Sequence, residues 1–268
     1  MASSLDLEAY FERIQWRGLT SPTHATLAGL LDAHMAHIPF ENIDVLLGRP
    51  VKLDLEGLQA KLIQARRGGY CFEHATLFAA VLEALGFEPV RHAARVIVFR
   101  PRSQVPRSHM FLSVTIDDAR YVVDPGFGPF ASRLPLPLDG TGLPADRPTH
   151  RMAREGDAWV LHATRDGAEL PAWVSTLEAE NPIDFEVANH FTATHPESPF
   201  VNWIIASAVT PDGRVNIMNR DVTHLRAGAA TTARLPDRTA LRALLAEHFG
   251  FDLPEVETLR VPGIPDWA

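Results

Sequence analysis

Cys71 is the only cysteine in a chain of 268 residues, and it stands where a sulfur could do chemistry. It follows Arg66-Arg67-Gly68-Gly69-Tyr70 and opens a run in which Leu77, Phe78, Val81, Leu82 and Leu85 recur at helical spacing. The glycines permit a tight turn. A helix N-terminus carries about half a positive charge and unpaired N–H groups, and two arginines lie just upstream. All three features favour thiolate over thiol, and thiolate is the nucleophile. The same N–H groups could hold the oxyanion formed when sulfur attacks a carbonyl. The competing reading is a small buried hydrophobe, the common fate of a lone cysteine.

A nucleophilic cysteine needs a base, and the base needs a group to orient it. The chain offers twelve histidines, so proximity must select among them. His109 begins the β-patterned run Met110–Ile116, and Asp124 follows the run Tyr121–Val123, with Asp117-Asp118 breaking the pattern between them. That is a hairpin, which would put an imidazole and a carboxylate on neighbouring strands. A simple turn at Asp117-Asp118 leaves the two out of step, so a bulge or the bend at Pro125 is expected to close the gap. The alternative is His109 facing solvent and Asp124 capping a turn.

Other polar residues compete. His74 lies three residues beyond Cys71 and could be the base, or could only cover the helix surface. His34-x-x-His37 could ligate a metal from one helix face, but no third ligand is evident nearby, and no metal is expected. Between Arg91 and His109 stand arginines 91, 95, 100, 102 and 107 and no acid. They could meet the phosphates of an anionic substrate or form the solvated face of a hairpin.

The elements that must position these groups follow from periodicity. Ser21-Pro22 predicts a helix start and Pro39 its end, with Leu27, Leu30, Leu31 and Met35 on one face. A second amphipathic set runs over 53–65, and the Cys71 helix closes at Gly86. Strands are expected at Arg95–Phe99, Met110–Ile116, Tyr121–Val123, Trp159–His162 and Ala172–Val174. Residues 129–150 read as a long connection. Near 188 the composition turns to Ser, Thr, Pro and His, followed by a buried strand over Phe200–Val209 and a closing helix from Thr239 to Phe249 capped by Gly250. The order is helical, then β, then mixed, which is not the alternation of a doubly wound sheet. No glycine-rich phosphate loop is present.

Composition sets the outer bounds. Hydrophobic residues make up 46% and charged residues 22%, ordinary globular usage that excludes a disordered chain. One cysteine excludes an internal disulfide and a cysteine-built zinc cage. A net charge of -8, from 33 acids against 25 bases, argues against a generic nucleic-acid binder. The first residues, Met-Ala-Ser-Ser-Leu-Asp-Leu-Glu, lack an apolar run, so no secretory signal is expected. No stretch approaches the roughly 20 apolar residues of a membrane span. A reducing, cytoplasmic setting is expected.

Three separated motifs then carry a resemblance. IPFENIDVLLGRP at 38–50, RGGYCFE at 67–73 and VVDPGFG at 122–128 resemble the arylamine N-acetyltransferases. The Tyr10-x-x-Arg13-Ile14 region, THPESPF at 194–200 and FGFDLP at 249–254 stand in the same order, so the likeness runs nearly end to end. It implies an α+β fold with a cysteine-protease-like core: a helical bundle over 1–88 carrying the nucleophile, a β-barrel over 89–187 carrying His and Asp, and an α/β lid over 188–268.

The resemblance also implies a Cys71–His109–Asp124 triad and a ping-pong transfer of acetyl from acetyl-CoA, through a Cys71 thioester, to an arylamine, arylhydroxylamine or hydrazine. CoA-binding roles carry over to Val105, Pro106, Arg107 and Ser108 and to Phe191 and Ser198. Phe127 is implied as an aromatic wall of the amine pocket. Two departures from the family pattern, Ala75 and Pro125, bear on substrate range. They keep open a relative of the same fold, an amide synthase that cyclises a polyketide. A non-catalytic binding module and a cysteine peptidase are the further alternatives. Nothing in the sequence fixes whether the chain forms a homo-oligomer.

Overall fold

The computed structural model describes residues 4–143, 150–165, 168–226 and 229–267. The first stretch is helical: α1 (Leu7–Arg13), α2 (His24–His37), a two-residue strand β1 (Phe40–Glu41), short turns α3 (Ile43–Leu46) and α4 (Leu55–Leu58), then α5 (Cys71–Ala84). The start of α2 differs from expectation. Thr23, not Ser21, is its cap, its hydroxyl accepting the Thr26 N–H at 3.2 Å, which leaves Pro22 outside the helix. Helix α4 continues through a wider π turn over Gln59–Gln64. Gly86 closes α5 in the left-handed region at φ 82°. Its N–H reaches Glu83 O and that of Phe87 reaches Leu82 O, the paired bonds of a Schellman end.

The middle stretch is a sheet of seven strands: β2 (Val90–Val96), β3 (His109–Ile116), β4 (Ala119–Val123), β5 (Leu136–Pro137), β6 (His150–Glu155), β7 (Ala158–Arg165) and β8 (Ala168–Ser175). Their order is β5-β4-β3-β2-β8-β7-β6. The end strands β5 and β6 lie close to each other, so the sheet curls into a nearly closed barrel. The stretch expected as one long connection thus holds β5 and the start of β6; residues 144–149 of it lie outside the described residues. Asp117 and Asp118 both have positive φ, 49° and 64°, and make the two-residue turn between β3 and β4.

The last stretch begins with α6 (Pro182–Thr194), capped at Asn181 with proline at its first position. Its polar composition gave no sequence expectation of a helix. A short α7 (Pro199–Asn202) occupies the first part of the run expected as one strand, and the strand proper is β9 (Ile205–Thr210). With β10 (Gly213–Met218), β11 (Asp221–Arg226) and β12 (Ala229–Arg234) it forms an antiparallel sheet whose edge partner is β1, Phe40 pairing with Ser207. Helix α8 (Arg238–Leu244) and a π turn to Phe249 follow, ended by Gly250 at φ 76°, and short 3-10 turns at Pro254–Thr258 and Pro265–Trp267 come after them.

Two large hydrophobic cores, with a small third cluster of Ala158, Val160 and Val174, hold the described residues together. In one, Leu27, Leu30 and Leu31 of α2 and Phe72, Leu77, Phe78 and Val81 of α5 pack with Phe111, Leu112 and Val114 of β3. The other joins Ala206, Val215, Ile217 and Val222 of the five-stranded sheet to Leu241 and Leu245. Among the described residues no helix is long and apolar enough to cross a membrane.

Candidate active site

Cys71 is the first residue of α5 and is 3% exposed. The backbone before it is tied to the segment 39–41. Glu41 N–H donates to Gly69 O at 2.8 Å and Gly69 N–H to Pro39 O at 3.2 Å. A side chain at Gly68 would strike Pro39 O at 2.1 Å, so the close approach needs glycine there. Glu73 accepts the Tyr70 N–H at 3.0 Å and so caps the helix start.

The charges around this start pair with one another. Glu73 and Asp44 share Lys61, each at 2.8 Å. Arg67 reaches Glu41 at 2.6 Å and Asp44 at 3.3 Å. Lys61 holds its proton to beyond the ordinary lysine range, because Glu73, Glu41 and Asp44 together outweigh its burial. Arg67, one of the two upstream arginines, therefore serves carboxylates of the fold.

The structure brings His109 and Asp124 together. His109 opens β3, and its Nε2–H donates to Asp124 Oδ2 at 2.8 Å. Cys71 lies close enough to favour the charged form of the ring, and Nδ1 is the ring nitrogen that Asp124 does not use. No bulge is needed. The last pair of the hairpin is Leu112 with Val123, so Asp124 stands beside Phe111, and His109 is the diagonal neighbour on the same face. An antiparallel pair lets side chains reach across that diagonal, which is why the expected bulge is absent. Pro125 and Gly126 instead fold over Cys71: a Cβ at Gly126 would lie 2.6 Å from Cys71 Cα.

Burial works against a charge on His109, but the Asp124 carboxylate, its hydrogen bond and the contact with Cys71 outweigh it and push the imidazole up to about 10. The thiol can also donate to Ser108 O at 3.8 Å. Phe127 lies over His109 with ring centroids 4.7 Å apart, and Phe130 stands 5.8 Å from Phe127. The loop bearing Phe127 is fastened from the five-stranded sheet, where Arg214 of β10 donates to Gly128 O at 2.5 Å and Ala131 O at 3.1 Å.

The remaining candidates fall in several places. His74 does not face the sulfur. Its Nε2 meets Pro39 O at 3.2 Å and its Nδ1 meets His34 Nε2 at 2.8 Å, while His34 Nδ1 takes the Tyr10 hydroxyl at 2.9 Å. His34 is thus spent inside the helical region, and His37 Nδ1 bonds to Ala33 O. Arg107 is half-exposed and paired with Glu180 at 2.6 Å, and Arg91 with Glu83 at 2.8 Å. Arg95 is turned onto Val105 O. Arg100 and Arg102 are exposed and have no acid partner among the described residues. Pro106 is exposed and Val105 and Ser108 are half-buried beside His109. Phe191 is exposed on α6 and stacks on His195 at 4.4 Å. Ser198 is buried, its hydroxyl donating to Thr192 O and accepting from Phe200 N–H as the cap of α7.

Trp173, Gly126 and Arg214 stand in this site without having been singled out by sequence. The indole N–H of Trp173 donates to Asp124 Oδ2 at 3.1 Å. The one available signal was a tryptophan inside a predicted strand, whose N–H must find an acceptor once buried.

Known proteins match the chain over nearly its whole length. A family model described as N-acetyltransferase matches residues 23–258. The arylamine N-acetyltransferase of Mycobacterium tuberculosis strain H37Rv is 39% identical, across 94% of this chain and 92% of that protein. The solved structure of the M. tuberculosis enzyme superposes with a TM-score of 0.88 at 38% identity, over 94% of this chain and 96% of the other. The Mycobacterium marinum enzyme, solved in complex with CoA, also superposes at 0.88, with 34% identity and 94% of both chains covered. Taken with the motifs around Cys71, His109 and Asp124, these likenesses show that the chain belongs to the arylamine N-acetyltransferase family of acyltransferases.

Proposed function

We propose that this protein moves an acetyl group from acetyl-CoA to an arylamine, arylhydroxylamine or hydrazine in two half-reactions through a thioester on Cys71. The observation that carries the reading is one buried imidazole, His109, bonded to Asp124 at 2.8 Å and held near the sulfur of Cys71, which favours its charged form. In the first half-reaction the Cys71 thiolate attacks the thioester carbonyl of acetyl-CoA. The first N–H groups of α5, which have no acceptor within the helix, face the oxyanion. Collapse breaks the C–S bond to CoA, and the His109 imidazolium gives its proton to the departing CoA sulfur.

In the second half-reaction the amine nitrogen attacks acetyl-Cys71. Neutral His109 takes the proton the amine loses, the Cys71–acetyl bond breaks, and the thiolate–imidazolium pair is restored. Asp124 keeps the imidazole oriented and balances its charge. Phe127 above His109 offers a flat acceptor an aromatic face. The segment 105–108, next to His109, and the region of Phe191 and Ser198 are assigned to CoA, with Arg100 and Arg102 left to meet its phosphates. The three segments 1–88, 89–187 and 188–268 act in this scheme as nucleophile carrier, His–Asp carrier and lid. A single thiol kept reduced fits a cytoplasmic setting.

The test is to incubate the protein with acetyl-CoA and no amine and map it by mass spectrometry. One acetyl group on Cys71, discharged when a hydrazine is added, is the expected result. An unmodified Cys71 would remove the thioester and the mechanism with it.

A further inference from the structure

Trp173 and Asp124 meet although three strand steps separate them. Asp124 follows β4 and Trp173 lies on β8, with β3 and β2 between. In a flat sheet three steps would span about 14 Å. The indole nitrogen nevertheless lies 3.1 Å from Oδ2, because the sheet curls and the side chain crosses its interior. Trp173 is fully buried and is held by stacking on Phe111 at 4.3 Å, with 25° between the planes. Phe111 in turn stacks with His109 at 6.3 Å.

The acceptor side is unevenly used. Oδ2 takes both donors, the His109 Nε2–H and the Trp173 Nε1–H. Oδ1 is buried and has no hydrogen-bond partner among the described residues. A carboxylate held at one oxygen by one donor can turn about its Cβ–Cγ bond. Two donors arriving at the same oxygen from different strands prevent that rotation.

We propose that Trp173 is a positioning residue for the acetyl transfer: its indole N–H, reaching across the barrel interior, fixes the one carboxylate oxygen of Asp124 that faces His109. The proposal rests on the reading of Cys71, His109 and Asp124 as the groups that carry the transfer. Trp173 acts through Asp124 and makes no claim on the substrate. The other titratable groups close to Asp124 are His109 on β3 and His150 on β6, which feels its charge, with Cys71 on α5 beyond His109.

The test reads Cys71 directly. The rate of its alkylation by iodoacetamide is followed against pH, without acetyl-CoA, in the native protein, in Trp173→Phe and in Phe111→Leu. Loss of a charge-assisted hydrogen bond predicts a fall of about 10–100-fold in the alkylation rate of Trp173→Phe near pH 6. A less firmly held Asp124 stabilises the His109 imidazolium less, so the thiolate–imidazolium pair forms only at higher pH. The acid limb of the profile therefore moves to higher pH. In acetyl transfer kcat falls while KM for acetyl-CoA stays within about twofold, because the indole does not touch substrate.

Phe111→Leu loosens the stack but leaves the N–H, and its acid limb is expected to move less than that of Trp173→Phe. An unchanged profile in Trp173→Phe, or the same displacement in Phe111→Leu, overturns the proposal. Should Trp173→Phe not fold, β-(3-benzothienyl)alanine at position 173 keeps the shape and replaces N–H by sulfur, and the same two outcomes apply. Because alkylation needs no acetyl-CoA, the assignment of Trp173 can fail while the thioester stands. A missing acetyl adduct on native Cys71 would instead sink the reading it rests on.

Discussion

His109 and His74 are both fully buried, both lie beside the first turn of α5, and they carry opposite charge states. His109 is pushed up to about 10. His74 is pushed down to about 4, chiefly by burial, which its bonds to the Pro39 and Gly69 backbone only partly offset. Residue type and depth are the same, so the partners decide. His109 faces a carboxylate that rewards a second ring proton. His74 faces a carbonyl and another imidazole. Pro39 O can only accept, so His74 Nε2 carries the proton, His74 Nδ1 accepts from His34 Nε2–H, and His34 Nδ1 accepts from the Tyr10 hydroxyl. Every ring in that arm is neutral and satisfied, and a further proton would cost an acceptor. One arm holds a proton ready for use, and the other holds Pro39 and, through it, the glycine strap that enters Cys71.

The largest expected effect breaks the first arm. Asp124→Asn should lower kcat, read as CoA release, by about 10³–10⁴-fold through the wrong imidazole tautomer, with the fold intact. Activity within tenfold of native would remove Asp124 from the mechanism. Breaking the second arm should cost stability instead. His74→Leu leaves His34 Nε2–H without an acceptor and takes one of two donors from Pro39 O. About 1–3 kcal/mol should be lost in urea unfolding, with activity of the folded protein within a few-fold. An activity loss as deep as that of Asp124→Asn would make His74 the base after all.

The two arms also predict opposite pH limbs in thermal unfolding. Between about pH 6.5 and 4 an unfolded His74 binds a proton that the folded one refuses, so stability falls with acid by about 1.4 kcal/mol per pH unit. His92, also lowered to about 4 by burial, adds to this limb. For His109 the folded state keeps a proton that the unfolded chain releases. Its contribution is full below about pH 6.5 and is lost as pH rises towards 10. His74→Leu should flatten the acid limb and Asp124→Asn the alkaline one; the reverse pattern would contradict a neutral His74 and a charged His109. The smallest effect is Tyr10→Phe, which removes the first donor of the neutral chain and should cost about 1 kcal/mol in the same unfolding measurement.

What could be read in advance follows the range of each interaction. The start and end of α5, the Asp117-Asp118 turn and the pairing of His109 with Asp124 depend on neighbours in sequence or on one hairpin, and their signals are local. The diagonal reach from His109 to Asp124 lies one residue past the last pair of the hairpin, Leu112 with Val123, where turn chemistry alone does not fix which side chains meet. Helix α6 was missed for a different reason. Ile183 and Val187 point to solvent at 61% and 68% exposure, so its apolar spacing does not describe its buried face. Trp173 was out of reach altogether, since its acceptor lies three strands away and only curvature joins them.

Arg214 ties the rim of one sheet to the loop that roofs His109, so the five-stranded sheet has a handle on that roof. A change in β10 would reach that roof without touching Cys71, His109 or Asp124. New acceptors can thus be explored from the far side of the molecule, with the reaction itself left alone.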